Sequence, residues 1–269
     1  MQQVREAATV MLLRQGVSNI EVLMLRRNLN LEFVGGAYVF PGGKVDKADR
    51  DPEVIGRSLN LGDLECSKAL GLSSGGVGYF VAAIRECFEE AGIFIGSRSD
   101  GTVPTEEDLS GAREDLLLKR SDFADVLAKE DLYMDLSQLV YFAHWITPEA
   151  QPKRYDTRFF VATAPLGQLG MHDDSETVSH LWIDPNEALS GAKPKGFEIV
   201  LPTRQNLMAI AKYKTVNEVL EAAAHSEKTV VVPKLTRGSG GLELLLPWEE
   251  GYDEAISAHL EPGESLQNP

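Results

Sequence analysis

Three glutamates, Glu86, Glu89 and Glu90, fall within one turn of the segment Ala82-Ala83-Ile84-Arg85-Glu86-Cys87-Phe88-Glu89-Glu90-Ala91-Gly92-Ile93. At about 100° per residue, Phe80, Ile84, Cys87, Phe88 and Ala91 share one side of a helix, and the carboxylates gather on the opposite side. Like charges at i,i+3 and i,i+4 repel by about a few tenths of a kcal/mol on a bare helix. A hard divalent cation such as Mg²⁺ or Mn²⁺ takes oxygen ligands and would offset that repulsion. The plain alternative is a solvated acidic face, and Arg85 would pair with a carboxylate in either case. Gly92 stands where a helix commonly ends in a left-handed residue.

The segments around this helix must position it. Ala7–Leu13 and Ile20–Leu25 are apolar and strand-like, and the turn-like residues between them predict a hairpin. Gly35-Gly36-Ala37-Tyr38-Val39-Phe40-Pro41-Gly42-Gly43 packs four glycines and a proline around a very short strand, which indicates backbone that a Cβ would obstruct. Residues 46–76 are acidic and end in Ser73-Ser74-Gly75-Gly76; they read as an insertion with one or two short helices, outside the core. Helix is expected from Val77 to Ala91. Residues 105–138 read as a charged helical segment with an apolar stripe. Leu139–Trp145, Arg158–Ala164 and Leu181–Ile183 are expected strands. Pro185–Leu189, Pro202–Lys212 and Val216–Ala224 are expected helices, the first opening on a proline at a favoured position. Val230–Val232 and Leu242–Leu246 are expected to close the chain as a strand pair, and the last ~15 residues to be loose. Strands mixed with helices along the chain predict an α/β fold.

Composition narrows the function. The 269 residues carry 41 acids against 26 Lys and Arg, a net charge of −15, which argues against binding a nucleic-acid polymer. It leaves room for a small phosphorylated ligand whose charge a metal would offset. The 43% hydrophobic content is that of a globular chain. No apolar run approaches the ~18–20 residues needed to span a bilayer, and the N-terminus lacks the apolar region of a secretory signal. Two cysteines, Cys66 and Cys87, fit a reducing compartment, so cytoplasmic residence is the expectation.

Arg85-Glu86-Cys87-Phe88-Glu89-Glu90-Ala91-Gly92-Ile93 resembles the second half of the Nudix box, G-x5-E-x7-R-E-U-x-E-E-x-G-U with U apolar. All the fixed residues of that half are present, and Phe40-Pro41-Gly42-Gly43 resembles the strand and glycine turn that open the box. Arg85 lies 42 positions after Gly43 instead of 14, so about 28 residues are inserted within the box. The first glutamate of the pattern is left without an assigned counterpart; Asp49 stands at its count. A box split in this way, with Asp156-Thr157-Arg158-Phe159-Phe160, resembles the Nudix branch of peroxisomal coenzyme A diphosphatases and bacterial relatives.

The resemblance implies an α/β/α sandwich with a mixed sheet, as a single domain over 1–269. It would carry the insertion at about 46–76, a helical insertion at about 105–138 and a helical C-terminal extension at about 192–269. It implies that Glu86, Glu89 and Glu90 hold Mg²⁺ or Mn²⁺ with the Gly43 carbonyl, that Glu86 activates water, and that Arg85 orients a carboxylate. Glu176, in the loop before Leu181-Trp182-Ile183, fits a late acid found in many Nudix proteins, as a metal ligand or general base; an exposed loop acid is the alternative. His172 and His180 beside it read as polar surface. Arg26, Arg27, Arg154 and Arg158 are candidate phosphate-binding residues, because the guanidinium fork suits phosphate. Tyr38, Trp145 and Trp182 would stack on an adenine or belong to the core.

The activity implied is metal-dependent hydrolysis of the diphosphate in a small nucleotide derivative. Coenzyme A or an acyl-coenzyme A would give 3′,5′-ADP and (acyl-)4′-phosphopantetheine. The coenzyme A signature of the family is matched at Arg27, Gly36 and Phe40–Gly43, while Asn28 and Glu32 stand where it has serine and arginine. ADP-ribose, NADH and dinucleoside polyphosphates are the alternative substrates. A non-catalytic nucleotide-binding module is disfavoured because the box glutamates are retained. Isopentenyl-diphosphate isomerase chemistry would need a reactive cysteine, and Cys87 falls on the apolar side of its helix. Many family members are dimers, so a homodimer is expected.

Overall fold

The structure, a computed structural model, describes residues 4–28, 35–170, 173, 177–190, 197–238 and 241–258. The strands are β1 (Arg5–Gln15), β2 (Ile20–Arg27), β3 (Tyr38–Val39), β4 (Gly42–Lys44), β5 (Ser58–Leu59), β6 (Gly96–Arg98), β7 (Leu132–Asp135), β8 (Val140–Ile146), β9 (Tyr155–Thr163), β10 (Thr177–Ile183), β11 (Val230–Val231), β12 (Lys234–Gly238) and β13 (Gly241–Leu245). The helices are α1 (Pro52–Ile55), α2 (Asp63–Leu70), α3 (Val77–Ala91), α4 (Glu106–Leu117), α5 (Phe123–Lys129), α6 (Pro185–Leu189), α7 (Leu201–Ile210) and α8 (Val216–His225).

The main sheet runs β10-β2-β1-β9-β8-β11, with β3 on β2 and β4 on β1. It is mixed. β1 pairs antiparallel with β2 and parallel with β9, Arg5–Leu13 lying against Tyr155–Thr163. β1 is buried on both faces, so nearly every residue from Ala7 to Leu13 is apolar. Its alternation sorts two cores. Ala8, Val10 and Leu12 meet α3, whereas Met11 and Leu13 face the side of α6, α7 and α8, with Ala188, Leu207 and Val219. The result is the expected α/β/α sandwich.

The hairpin, α3 and α6 occupy the segments read from sequence. Other expectations are corrected. Segment 105–138 is not helical throughout: Leu132 and Met134 are buried and alternate with Tyr133 and Asp135, and this period of two makes β7 the centre of a small sheet with β5 and β6. Among the described residues of the extension from 192, only α7 and α8 are helical. Val230–Val231 pairs parallel with β8 in the main sheet, while β13 pairs with β12, so the closing strands do not pair with each other. The insertion is not outside the core either, because Val54, Cys66 and Leu70 are buried beneath α3. Among the described residues no helix is long and apolar enough to cross a membrane.

Candidate active site

α3 carries the acids and is held at both ends. Phe80, Ile84 and Phe88 are at most 1% exposed and press on the β1 face of the sheet. At its N-terminal end the Asp63 carboxylate accepts from the backbone N–H groups of Gly75 (2.9 Å) and Val77 (3.1 Å). At its C-terminal end the helix stops at Gly92, φ +68°, in the left-handed region. There the buried Arg113 of α4 donates to the carbonyls of Glu89 (3.0 and 2.9 Å) and Glu90 (3.0 Å), placing a cation at the negative end of the helix. Nothing local in the sequence marks Arg113, which lies over twenty residues away.

Arg85 is the hub. Its Nε and Nη2 donate to the two Asp49 oxygens at 2.7 and 3.0 Å, a bidentate pair. Nη1 donates to Glu86 (3.0 Å) and Glu89 (3.2 Å), and Nη2 also reaches the Lys44 carbonyl (2.9 Å). Asp49 is 1% exposed and also accepts from the Asp46 N–H at 2.7 Å. The pattern's first acidic position is therefore filled, by an aspartate, at its expected count from Gly43. The extra residues all lie between Asp49 and Arg85. The residue that sequence left unassigned, inside a segment read as insertion, is a buried member of the site. Its count was the signal that could have found it.

The three glutamates are not a solvated face. The Glu90 residue is 6% exposed, and the Glu86 side chain 15%. Glu90 accepts from the Gly42 N–H at 2.9 Å. A Cβ on Gly43 would stand 2.4 Å from the Glu86 carboxyl, so glycine is what lets β4 lie against that acid. Burial pushes the Glu86 carboxyl up to about 7, with Arg85 opposing and Glu89 adding to the rise. Burial also raises Glu89, again against Arg85. Glu86, Glu89, Glu90 and Asp46 open onto one cavity of about 640 Å³. Among the described residues no three acids converge on one point: Arg85 takes Glu86 and Glu89, and the Gly42 N–H takes Glu90. The donor set still suits a hard divalent cation: carboxylate oxygens from one helix face, beside a glycine backbone, in excess of the cations around them.

The other expected residues scatter. Glu176 and His172 lie outside the described residues, as does Glu32. Arg26 donates to the Gly36 carbonyl (3.4 Å) and lies 6.0 Å from the Tyr38 ring, and Arg27 is at the same strand end. Arg154 donates to Thr147 O across the β8–β9 turn. Arg158 is 5% exposed and spends its guanidinium on His144, on Tyr141 (3.2 Å) and on Asp156 (3.7 Å). None of these four arginines lines the acidic cavity; the cations that join Arg85 there are Lys119 and Arg120, from the turn between α4 and α5. Tyr38 stacks on Phe197 at 4.3 Å and Trp145 is buried, so both are core. Trp182 donates to the Leu169 carbonyl (2.8 Å). Cys87 is fully buried, and burial raises its thiol far above the usual range.

Comparison with known proteins places this geometry. The sequence model described as the NUDT19 Nudix domain matches residues 64–208, more than half of the chain. The acyl-coenzyme A diphosphatase NUDT19 of Xenopus laevis is 26% identical over 288 residues, which cover 94% of this chain and 73% of that protein. The human protein of the same name is 24% identical, covering 87% and 72%. A crystal structure of a Nudix hydrolase from Alicyclobacillus acidocaldarius superposes with a TM-score of 0.64 at 26% identity, over 82% of this chain and 97% of that one. Nudix hydrolases generally use divalent metals. An acidic helix face locked by one arginine, a glycine turn laid against it and these matches agree: the chain belongs to the Nudix family, in the branch described by the NUDT19 Nudix domain, and is a pyrophosphohydrolase.

Proposed function

We propose that the chain hydrolyses the diphosphate linkage of coenzyme A or an acyl-coenzyme A, giving 3′,5′-ADP and (acyl-)4′-phosphopantetheine. The observation that carries the catalytic part is the Asp49–Arg85 pair holding Glu86 and Glu89 at the wall of a cavity shared with Glu90. The substrate part rests on the relatives named acyl-coenzyme A diphosphatase. Glu86, Glu89 and Glu90, with the Gly43 carbonyl, would hold Mg²⁺ or Mn²⁺. Such an ion neutralises diphosphate charge and lowers the pKa of bound water. Arg85, itself anchored by Asp49, orients the Glu86 and Glu89 carboxylates. Glu86 would also take the proton from the attacking water. The water oxygen bonds to one phosphorus as the bridging oxygen leaves with the other.

The test is a panel of coenzyme A, acetyl-coenzyme A, ADP-ribose, NADH and a dinucleoside polyphosphate, each with Mg²⁺ or Mn²⁺, with products separated by chromatography. Coenzyme A compounds should be cleaved at the diphosphate, and Glu89→Gln should lose about 100-fold or more in kcat. Cleavage of ADP-ribose in preference to coenzyme A would replace the substrate and leave the chemistry. No cleavage of any panel member would sink the reading. The free, buried Cys66 and Cys87 support a reducing compartment such as the cytosol, which imaging of the tagged chain would check. The homodimer expected from the family is checked by sedimentation.

A further inference from the structure

The acidic cavity is lined in part by residues that the Nudix box does not supply. α4 stops at Leu117, α5 starts at Phe123, and the corner between them brings Lys119 and Arg120, together with the acids Asp122 and Asp125, to the cavity that Glu86, Glu89 and Glu90 line. The corner is built by a specific helix ending. The Lys119 N–H donates to the Leu116 carbonyl (3.0 Å) and the Arg120 N–H to the Asp115 carbonyl (2.8 Å), the two bonds of a Schellman motif. That motif puts Lys119 at the left-handed position, φ +55°. Glycine is the usual residue there, because a Cβ is disfavoured in this conformation. A lysine that the turn does not call for, at the wall of an active-site cavity, points to a use for its side chain.

Among the cavity's cations, the ones not already committed are at this corner. Arg85 is buried and its donors are taken by Asp49, Glu86, Glu89 and the Lys44 carbonyl. Lys119 is exposed and has no ion pair among the described residues. Arg120, with its side chain 59% exposed, reaches Asp115 at 3.3 Å and Glu114 at 3.6 Å, surface pairs that contribute little and exchange readily. A nucleotide diphosphate must bring its negative charge into a cavity rich in carboxylates. Metal ions offset part of that charge, and the remainder calls for cationic donors in the lining.

We propose that Lys119 and Arg120 are substrate-binding residues that hold phosphate groups of the nucleotide from the α4–α5 corner. The proposal rests on the reading of this cavity as the diphosphate-cleaving site. It gives the segment between the box and β7 a role: it delivers cations over the catalytic helix.

Lys119→Gly tests it cleanly, since it removes the cation while giving the turn its favoured residue. In the full chain with Mg²⁺, Lys119→Gly combined with Arg120→Ala should raise KM for coenzyme A about tenfold, with kcat within about twofold. The affinity for 3′,5′-ADP by calorimetry should fall in parallel. Lys119→Gly alone should melt at or above the wild-type temperature, and Lys119→Arg should keep the wild-type KM. A purely structural role would move the melting temperature and leave the KM-against-kcat split untouched. Unchanged KM and unchanged 3′,5′-ADP affinity in the double variant overturn the proposal. If the wild type cleaves ADP-ribose rather than coenzyme A, the substrate assignment fails on its own, and the same KM comparison with ADP-ribose decides the role of these two residues.

Discussion

At the scale of single residues, neighbouring glycines of β4 do different things. A Cβ on Gly42 would stand 2.5 Å from the Ala8 carbonyl and 2.6 Å from Thr9 Cα, both backbone of the paired strand β1. The three atoms nearest a Cβ on Gly43 would all belong to the far end of the Glu86 side chain. Gly42→Ala should therefore lose about 1–3 kcal/mol of stability by prising the strands apart. Gly43→Ala should keep its melting temperature and lose about 10-fold or more in kcat, because the carboxylate has to swing away. Melting curves and kcat measured side by side separate them, and an equal melting loss at both would make Gly43 a packing glycine too. Asp49 carries a second prediction. Asp49→Ala strands the buried Arg85 charge, and urea unfolding should show a loss of about 3–5 kcal/mol. A loss below about 1 kcal/mol would mean that Glu86 and Glu89 hold Arg85 without it.

At the scale of elements, the ends of α3 are tied to distant parts of the chain. Asp63 in α2 accepts from Gly75 and Val77, and those two N–H bonds hold its carboxyl below the usual value. A carboxyl with a depressed folded pKa stabilises fully above the unfolded value near 3.8, and that contribution is lost as pH falls through the lower folded value. Asp63→Ala should cost about 1 kcal/mol at pH 7, as for a lost helix cap. Its deficit against wild type should shrink as pH drops below 3.8. Urea unfolding across that range checks it, and a constant deficit would mean the loss is packing rather than capping by the charged form. The element scale also shows where local reading stops. Val77–Ala91 was legible because its apolar period and terminal glycine are local. The alternation in Leu132–Asp135 is too short to outweigh the helical pattern before it, and the partner of β11 is β8, far earlier in the chain, whereas β13 pairs with the adjacent β12.

At the scale of the molecule, the −15 charge includes a local concentration of acids at one cavity. A ligand that binds only the folded state stabilises it, by about 2.7 kcal/mol at 100 times its Kd. Added Mn²⁺ or Mg²⁺ should therefore raise the melting temperature of the wild type reversibly with a chelator, and raise that of Glu89→Gln less. Equal shifts in both would place the ion elsewhere. The sequence by itself determined the α/β class, the helix from Val77 to Ala91, its apolar and acidic faces and the arginine at its centre, since each follows from residue type and period within a few turns. Only the tertiary structure decided that Asp49 completes the arginine cluster, that Arg158 is committed to an internal network, and that Lys119 and Arg120 line the same cavity as the acids. The physical reason is that a salt bridge over 36 positions, or a cavity shared by two helices, depends on how the elements pack. No local periodicity encodes that distance.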